Sequence, residues 1–221
     1  IECISLNRSF GDPPLEVLKA INFQIPKGQF VSVTGRSGSG KSTLLYAMSG
    51  LDKITSGKVL FSGENIHDMP EKQLNHFRNF KMGFVFQFHY LLPEITVLEN
   101  VLMPARKTNL HKAKEEEARK ILDDFSLSHC ANKTPGQISG GESQRVSIAR
   151  ALIMRPEYIF ADEPTGNLDS ANGEKVLALF QKVNKDYGTT VVIVTHDLGY
   201  AKLAQRTIGL SDGRIESDTM N

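Results

Sequence analysis

Gly35-Arg36-Ser37-Gly38-Ser39-Gly40-Lys41-Ser42-Thr43 satisfies the phosphate-loop pattern G-x-x-x-x-G-K-[ST] at every defined position. Its glycines let the backbone turn tightly and aim successive N–H groups inward, and the loop feeds a helix whose positive N-terminal end favours phosphate. Lys41 adds a point charge for the β- and γ-phosphates, and Ser42 offers its hydroxyl to Mg²⁺. The flanks fit the strand, loop and helix order that the pattern requires: Gln29-Phe30-Val31-Ser32-Val33-Thr34 is a short β-rich run, and Leu44-Leu45-Tyr46-Ala47-Met48 continues as a mostly apolar helix. Every residue from Gly35 to Thr43 is thus a candidate ligand of a nucleoside triphosphate.

A chain of 221 residues can bury a substantial core and is expected to form one domain, or one domain with a lobe. Its 26 basic and 25 acidic side chains leave a formal charge of +1, so overall balance gives no argument for wrapping nucleic acid or for an acidic membrane surface. Cys3 and Cys130 are the only cysteines and show no metal spacing, which suits two free thiols in a reducing cytoplasm. No apolar run approaches the roughly 20 residues that span a bilayer, and no signal pattern opens the chain, so it is not expected to cross a membrane itself. Because it begins at Ile1 rather than Met, a few native residues are expected before it.

Upstream of the phosphate loop, Ile1–Leu6 and Val17–Ile25 read as two strands of a β lobe separated by Gly11-Asp12-Pro13-Pro14, with Phe10 in the connecting loop. Phe10 could stack on a nucleotide base or serve as an ordinary apolar side chain. Downstream, Lys58–Gly63 extends the lobe. From Met69-Pro70 to about residue 156 strand signals thin out and amphipathic helix signals take over, a helical insert. There Ala118, Ile121, Leu122 and Phe125 recur at helical spacing, and Thr96-x-x-Glu99 opens a helix with a capping box. Tyr158–Ala161 and Thr190–Val194 are short apolar runs typical of parallel strands covered on both faces, and Val176, Leu177, Phe180 and Val183 lie on a helix between them. This βαβ unit and the phosphate loop imply an α/β fold with a parallel-sheet nucleotide-binding core.

Several side chains could do chemistry there. Asp162 and Glu163 sit at the C-terminal end of a buried strand, where ligands gather in open α/β sheets. Asp162 would hold Mg²⁺, and Glu163 could accept a proton from a water in line with the γ-phosphate. His196 follows the last apolar strand and should emerge on the same edge. The other histidines, at 67, 76, 89, 111 and 129, show no ligand spacing. Ser139-Gly140-Gly141-Glu142 is a capping box by local physics, and its two glycines also bare the backbone, so the helix start is a second anion site. Whether the two anion sites meet within one chain or between two is open at this level.

Together these motifs resemble the ATP-binding subunit of ABC transporters over nearly the whole chain. The resemblance implies a P-loop NTPase (RecA-like) parallel-sheet core, an N-terminal antiparallel β lobe and an inserted helical subdomain. These form one ABC ATPase domain, with core and lobe at 1–68 and 157–221 and the helical subdomain at 69–156. By that likeness Asp162 and Glu163 end the Walker B strand, with Glu163 catalytic. Ser139-Gly140-Gly141-Glu142-Ser143 is the signature, His196 the switch histidine, Gln87 the Q-loop glutamine that helps place phosphate and metal, Asn167-Leu168-Asp169 the D-loop, and Phe10 the ring on adenine. Lys41 joins Glu163, His196 and Gln87 as catalytic, and Ser42, Gln87 and Asp162 form the metal set. ATP and Mg²⁺ are the implied cofactors. A second copy, or a homologous ATPase, is the implied head-to-tail partner, each signature closing the other's phosphate loop. Ile138, Glu142 and Phe10 stand where Leu, Gln and Tyr are commoner, all mild changes.

Within the family, Gly83–Pro93, Thr96–Val101 and Ala161–Asp169 are similar to the lipoprotein-release and macrolide-export (LolD/MacB) group. This likeness implies transmembrane permease subunits as partners, contacted through a groove beside Gln87 near Phe88, Leu91 and Leu92. It also implies a peripheral position on the cytoplasmic face of the inner (plasma) membrane, with no nucleic acid expected. A soluble ABC-type ATPase of DNA repair or ribosomes is the rival. Its kinds carry coiled coils, zinc modules or two cassettes, and this chain has none of these. An ordinary phosphate-loop kinase leaves the signature unexplained.

Overall fold

The computed structural model describes residues 1–221. β1 (Glu2–Phe10) and β2 (Leu15–Gln24) form an antiparallel pair. Phe10, expected in the loop between the first strands, is instead the last residue of β1 and pairs with Leu15. The chain then enters β3 (Phe30–Thr34) and, through the phosphate loop, α1 (Lys41–Met48). β4 (Ser56–Phe61) and β5 (Glu64–Asn65) complete a four-stranded antiparallel lobe in the order β2-β1-β4-β5.

α2 (Glu71–Lys81), β6 (Met82–Phe86), α3 (Val97–Arg106), α4 (Glu115–Asp124) and α5 (Gly140–Leu152) follow. Then come β7 (Tyr158–Asp162), α6 (Ser170–Tyr187), β8 (Thr190–Val194), α7 (Leu198–Ala201) and the hairpin of β9 (Arg206–Ser211) and β10 (Arg214–Met220). The second sheet runs β10-β9-β3-β8-β7-β6, parallel except for the antiparallel edge strand β10. β6 departs from the sequence reading: Met82–Phe86 lies inside the 69–156 stretch assigned to the helical subdomain, yet it extends the core sheet alongside β7. Gly83 makes this possible, since a Cβ there would stand 2.6 Å from the carbonyl oxygen of Ala151 on α5, which lies against the strand.

Each central strand feeds two cores. Ile159, Ala161, Val191 and Ile193 face a 30-residue cluster shared with α3, α4, α5 and α6, while Phe160, Val192 and Val194 face a 22-residue cluster shared with α1 and the β lobe. Both faces are therefore covered, which is why β7 and β8 read as unbroken apolar runs. The expected stripe of α4 is buried as Ala118, Ile121 and Leu122, with Phe125 closing the helix. Ser32, fully buried in β3, satisfies its hydroxyl against the carbonyls of Ala201 and Arg206 and the hydroxyl of Thr207, at 3.1, 3.3 and 3.0 Å.

Candidate active site

Parallel pairing brings four strand ends to one edge of the core sheet. Phe86 lies opposite Asp162, Asp162 opposite Val194, and Val194 opposite Val33, so Gln87, Glu163, His196 and the phosphate loop all emerge there. Gly40 opens α1 in the left-handed region at φ 100°, where a side chain would be strained, so only glycine suits this tight turn of the loop into the helix. One pocket is lined by Ser37, Gly38, Gly40, Lys41, Ser42 and Thr43 of the loop and by Gln87, Glu163 and His196.

Lys41 is buried and its Nζ donates to the carbonyls of Gly35 and Arg36 at 2.9 and 3.0 Å, folding the ammonium over its own loop. The Ser42 hydroxyl donates to Asp162 Oδ1 at 2.9 Å, and the Tyr46 hydroxyl donates to Asp162 Oδ2 at 2.6 Å. Burial, then the hydrogen bond to Asp162, pushes the Tyr46 phenol well up, so it stays a proton donor. The sequence hints at Tyr46 only through its place four residues after Ser42, on the same face of α1.

Glu163 takes a left-handed backbone at φ 46°, unusual for a side chain of its size and common where function holds strain. Its Oε2 lies 2.9 Å from His196 Nδ1 and accepts a longer bond from the His196 backbone N–H at 3.4 Å. The Gln87 amide donates to Asn167 Oδ1 at 3.1 Å, and Asn167 answers with a bond to the Gln87 carbonyl at 3.2 Å. The D-loop and the end of β6 are thus tied together.

Gly35, Arg36, Ser39 and Asp162 are bonded to or next in sequence to its lining residues without lining it, and two further sets of candidate residues lie outside that pocket. Phe10 is 41% exposed, with the Arg8 guanidinium 4.0 Å from its ring centroid and Arg8 gripped by both carboxylate oxygens of Asp52. Ser139 and Gly140 are exposed at the start of α5. There the capping box is complete: the Ser139 N–H and hydroxyl donate to Glu142 Oε2 at 2.7 and 2.8 Å, and the Glu142 N–H donates to Ser139 Oγ at 3.3 Å. These bonds, foremost the one from the Ser139 backbone, hold the Glu142 carboxyl down at about 2.

The sequence profile of the ABC transporter family matches residues 18–166, and the chain belongs to that family. It is an ATP-binding cassette with ATPase activity. Among its relatives, a lipoprotein-releasing system ATP-binding protein LolD of Leptospira interrogans is 49% identical over 217 residues, 98% of this chain and 91% of the relative. LolD of Bacteroides thetaiotaomicron is 47% identical over 219 residues, 99% of this chain and 100% of the relative. A bacterial ABC transporter cassette solved as a dimer superposes with a TM-score of 0.90 at 39% identity, covering 99% and 97% of the two chains. The same cassette with ADP and Pi, a dimeric post-hydrolysis state, gives 0.88.

Proposed function

We propose that this chain is the ATPase subunit of a lipoprotein-releasing transporter, working as a head-to-tail dimer around two Mg·ATP. The observation that carries the dimer is the composition of the pocket: its lining contains no residue of 139–142, while Ser139 and Gly140 stand exposed at the start of α5. A γ-phosphate held by Lys41 therefore meets the Ser139–Gly141 amides only from another copy. Near-full-length identity to LolD proteins from distant bacteria supports the lipoprotein-release reading over the macrolide-export one.

The residues present fit Mg·ATP. Ser42 Oγ and the Asp162 carboxylate are hard oxygen donors 2.9 Å apart, and buried Ser39 Oγ in the loop has no partner within the chain. When bound, Mg²⁺ offsets the phosphate charge and orients the β- and γ-phosphates. Lys41 then exchanges its loop carbonyls for phosphate oxygens. Glu163 Oε1, free of side-chain partners, accepts a proton from a water whose oxygen attacks the γ-phosphorus as the bond to ADP breaks. His196 holds the other oxygen of Glu163 and reaches the γ-phosphate edge, and Gln87 positions the water and the metal. Phe10 offers a face for adenine.

A groove of about 440 Å³ beside Gln87, lined by Phe84, Phe86 and Tyr90 together with Arg78, Lys107 and Arg150, suits a permease segment. Phe88, Leu91 and Leu92, expected to line it, do not: Phe88 and Leu92 are exposed, and Leu91 packs on the main core. No helix is long and apolar enough to cross a membrane, and the proposed seat on the cytoplasmic face of the inner membrane depends on that groove. Glu163→Gln tests the catalytic reading. ATP binding is retained, turnover falls about 10²–10⁴-fold, and an ATP-dependent dimer accumulates on size exclusion. Wild-type turnover in this variant would remove Glu163 from the mechanism.

A further inference from the structure

His129 and Cys130, which the ATPase reading leaves unused, cluster with Glu142 of the signature capping box. His129 Nε2 lies 2.8 Å from Glu142 Oε1 and 3.5 Å from Cys130 Sγ, and Cys130 Sγ lies 3.9 Å from Glu142 Oε1. One atom from each side chain thus converges on a common point, all within 4.8 Å of one another. A nucleophile relay does not fit this arrangement. A relay uses the two nitrogens of an imidazole on opposite sides, whereas here Nε2 alone faces both the thiol and the carboxylate.

The geometry points to a site for Zn²⁺, a borderline-soft cation that accepts sulfur, nitrogen and oxygen together, with water in the fourth position. For Zn–N and Zn–O near 2.0–2.2 Å and Zn–S near 2.3 Å, tetrahedral ligand edges come to roughly 3.3–3.6 Å. The observed separations of 2.8, 3.5 and 3.9 Å bracket that range, so the site forms when the His129–Glu142 pair opens by about 0.5 Å and Cys130 and Glu142 approach by about 0.3 Å. Mg²⁺, which demands oxygen ligands, is poorly served by a thiol and an imidazole.

Local structure supports such a site. Residues 128–130 form a 3₁₀ turn fixed by the Cys130 N–H on the Leu127 carbonyl at 3.0 Å and the Lys133 N–H on the Cys130 carbonyl at 2.9 Å. The other Glu142 oxygen, Oε2, is held by Ser139, which orients the carboxylate as an outer-shell partner does. Cys130 is buried but its sulfur faces two side chains that are 57% and 20% exposed, which leaves an entry path. Binding converts the Cys130 thiol to a zinc thiolate and releases its proton to solvent. Because Glu142 also caps α5, an occupied site staples the turn at 128–130 to the start of the signature helix.

Co²⁺, a spectroscopic stand-in for Zn²⁺, tests the site in the full chain, reduced, stripped by chelator and kept in excess Mg²⁺. A near-ultraviolet thiolate-to-Co²⁺ charge-transfer band with tetrahedral d–d bands should appear at one Co²⁺ per chain and vanish when Zn²⁺ is added. Cys130→Ser should abolish the band, Cys3→Ala should keep it, and exposed His129→Ala should weaken Zn²⁺ affinity at least about tenfold. Amide exchange at residues 139–145 should slow with Zn²⁺ in the parent chain and not in Cys130→Ser. Absence of the band, or its survival in Cys130→Ser, overturns the proposal. If Cys130→Ser does not fold, undiminished Zn²⁺ affinity in His129→Ala does so.

Discussion

Asp162 is where the chemistry of single residues is most tightly arranged. It is a buried carboxylate at a strand end, with one oxygen on Ser42 and the other on Tyr46. A hydroxyl donor on each oxygen fixes the plane of the carboxylate before any ligand arrives. Tyr46→Phe removes one of these donors without changing ring volume. Mg²⁺ needed for half-maximal turnover should rise about tenfold, while metal-free ATP affinity measured by fluorescence titration stays as in the parent. An unchanged Mg²⁺ dependence would make Tyr46 a packing residue only. Ser42 and Asp162 were readable from the phosphate loop and the strand that ends in two carboxylates. Tyr46 was not, because its place four residues after Ser42 sets the helix face it shares but not the strand end 116 residues away that it meets.

Among the elements, α3 shows how a loop is held by the helix that follows it. Its capping box is complete, with Thr96 and Glu99 bonded reciprocally, as the T-x-x-E pattern predicts. Fully buried Asn100 adds a clasp: its side chain accepts from the Leu92 N–H at 2.8 Å and donates to the carbonyls of Leu92, Ile95 and Thr96 at 3.0, 3.3 and 3.0 Å. Arg150 on α5 donates to the carbonyls of His89 and Tyr90, so the segment between β6 and α3 is anchored at both ends. Asn100→Ala removes the side-chain partner of the Leu92 N–H and of the Leu92 and Ile95 carbonyls, while the Thr96 carbonyl keeps the backbone N–H of residue 100, and urea unfolding should show a loss of about 1–3 kcal/mol. A loss under about 0.5 kcal/mol, the range of an ordinary surface change, would show that water replaces the clasp. β6 is the element that the sequence concealed. Five residues between two helical patterns carry too little periodicity to declare a strand, and pairing with β7 decides it. The β9–β10 hairpin also went unread, although its turn at Asp212-Gly213 is a common hairpin signal.

At the scale of the molecule, the proposed dimer makes each site a composite of two chains. Gly140 has open space where a Cβ would sit, so Gly140→Asp should fold and place a negative charge where phosphate arrives from the partner. Lys41→Ala disables the other half. Each variant alone should be inactive, and an equal mixture should recover roughly a quarter of parental turnover, since half the dimers are mixed and each of these carries one intact site. No recovery on mixing would mean that both halves act within one chain. Turnover of the parent should likewise rise faster than linearly with protein concentration below the dimer dissociation constant.

The phosphate loop, the carboxylates at 162 and 163, the signature capping box and the apolar strands were settled by sequence alone, because each depends on residues close together in the chain. Backbone turns, caps and buried strands are local in cause, and their residues announce them. Only the tertiary structure decided which of these share a pocket: parallel pairing of β6, β7, β8 and β3 carries Gln87, Glu163, His196 and Lys41 to one edge, and it leaves Ser139 outside. The same holds for Tyr46 on Asp162, 116 residues apart. Contacts between residues distant in the chain follow from sheet order and helix packing, and no window of sequence contains them.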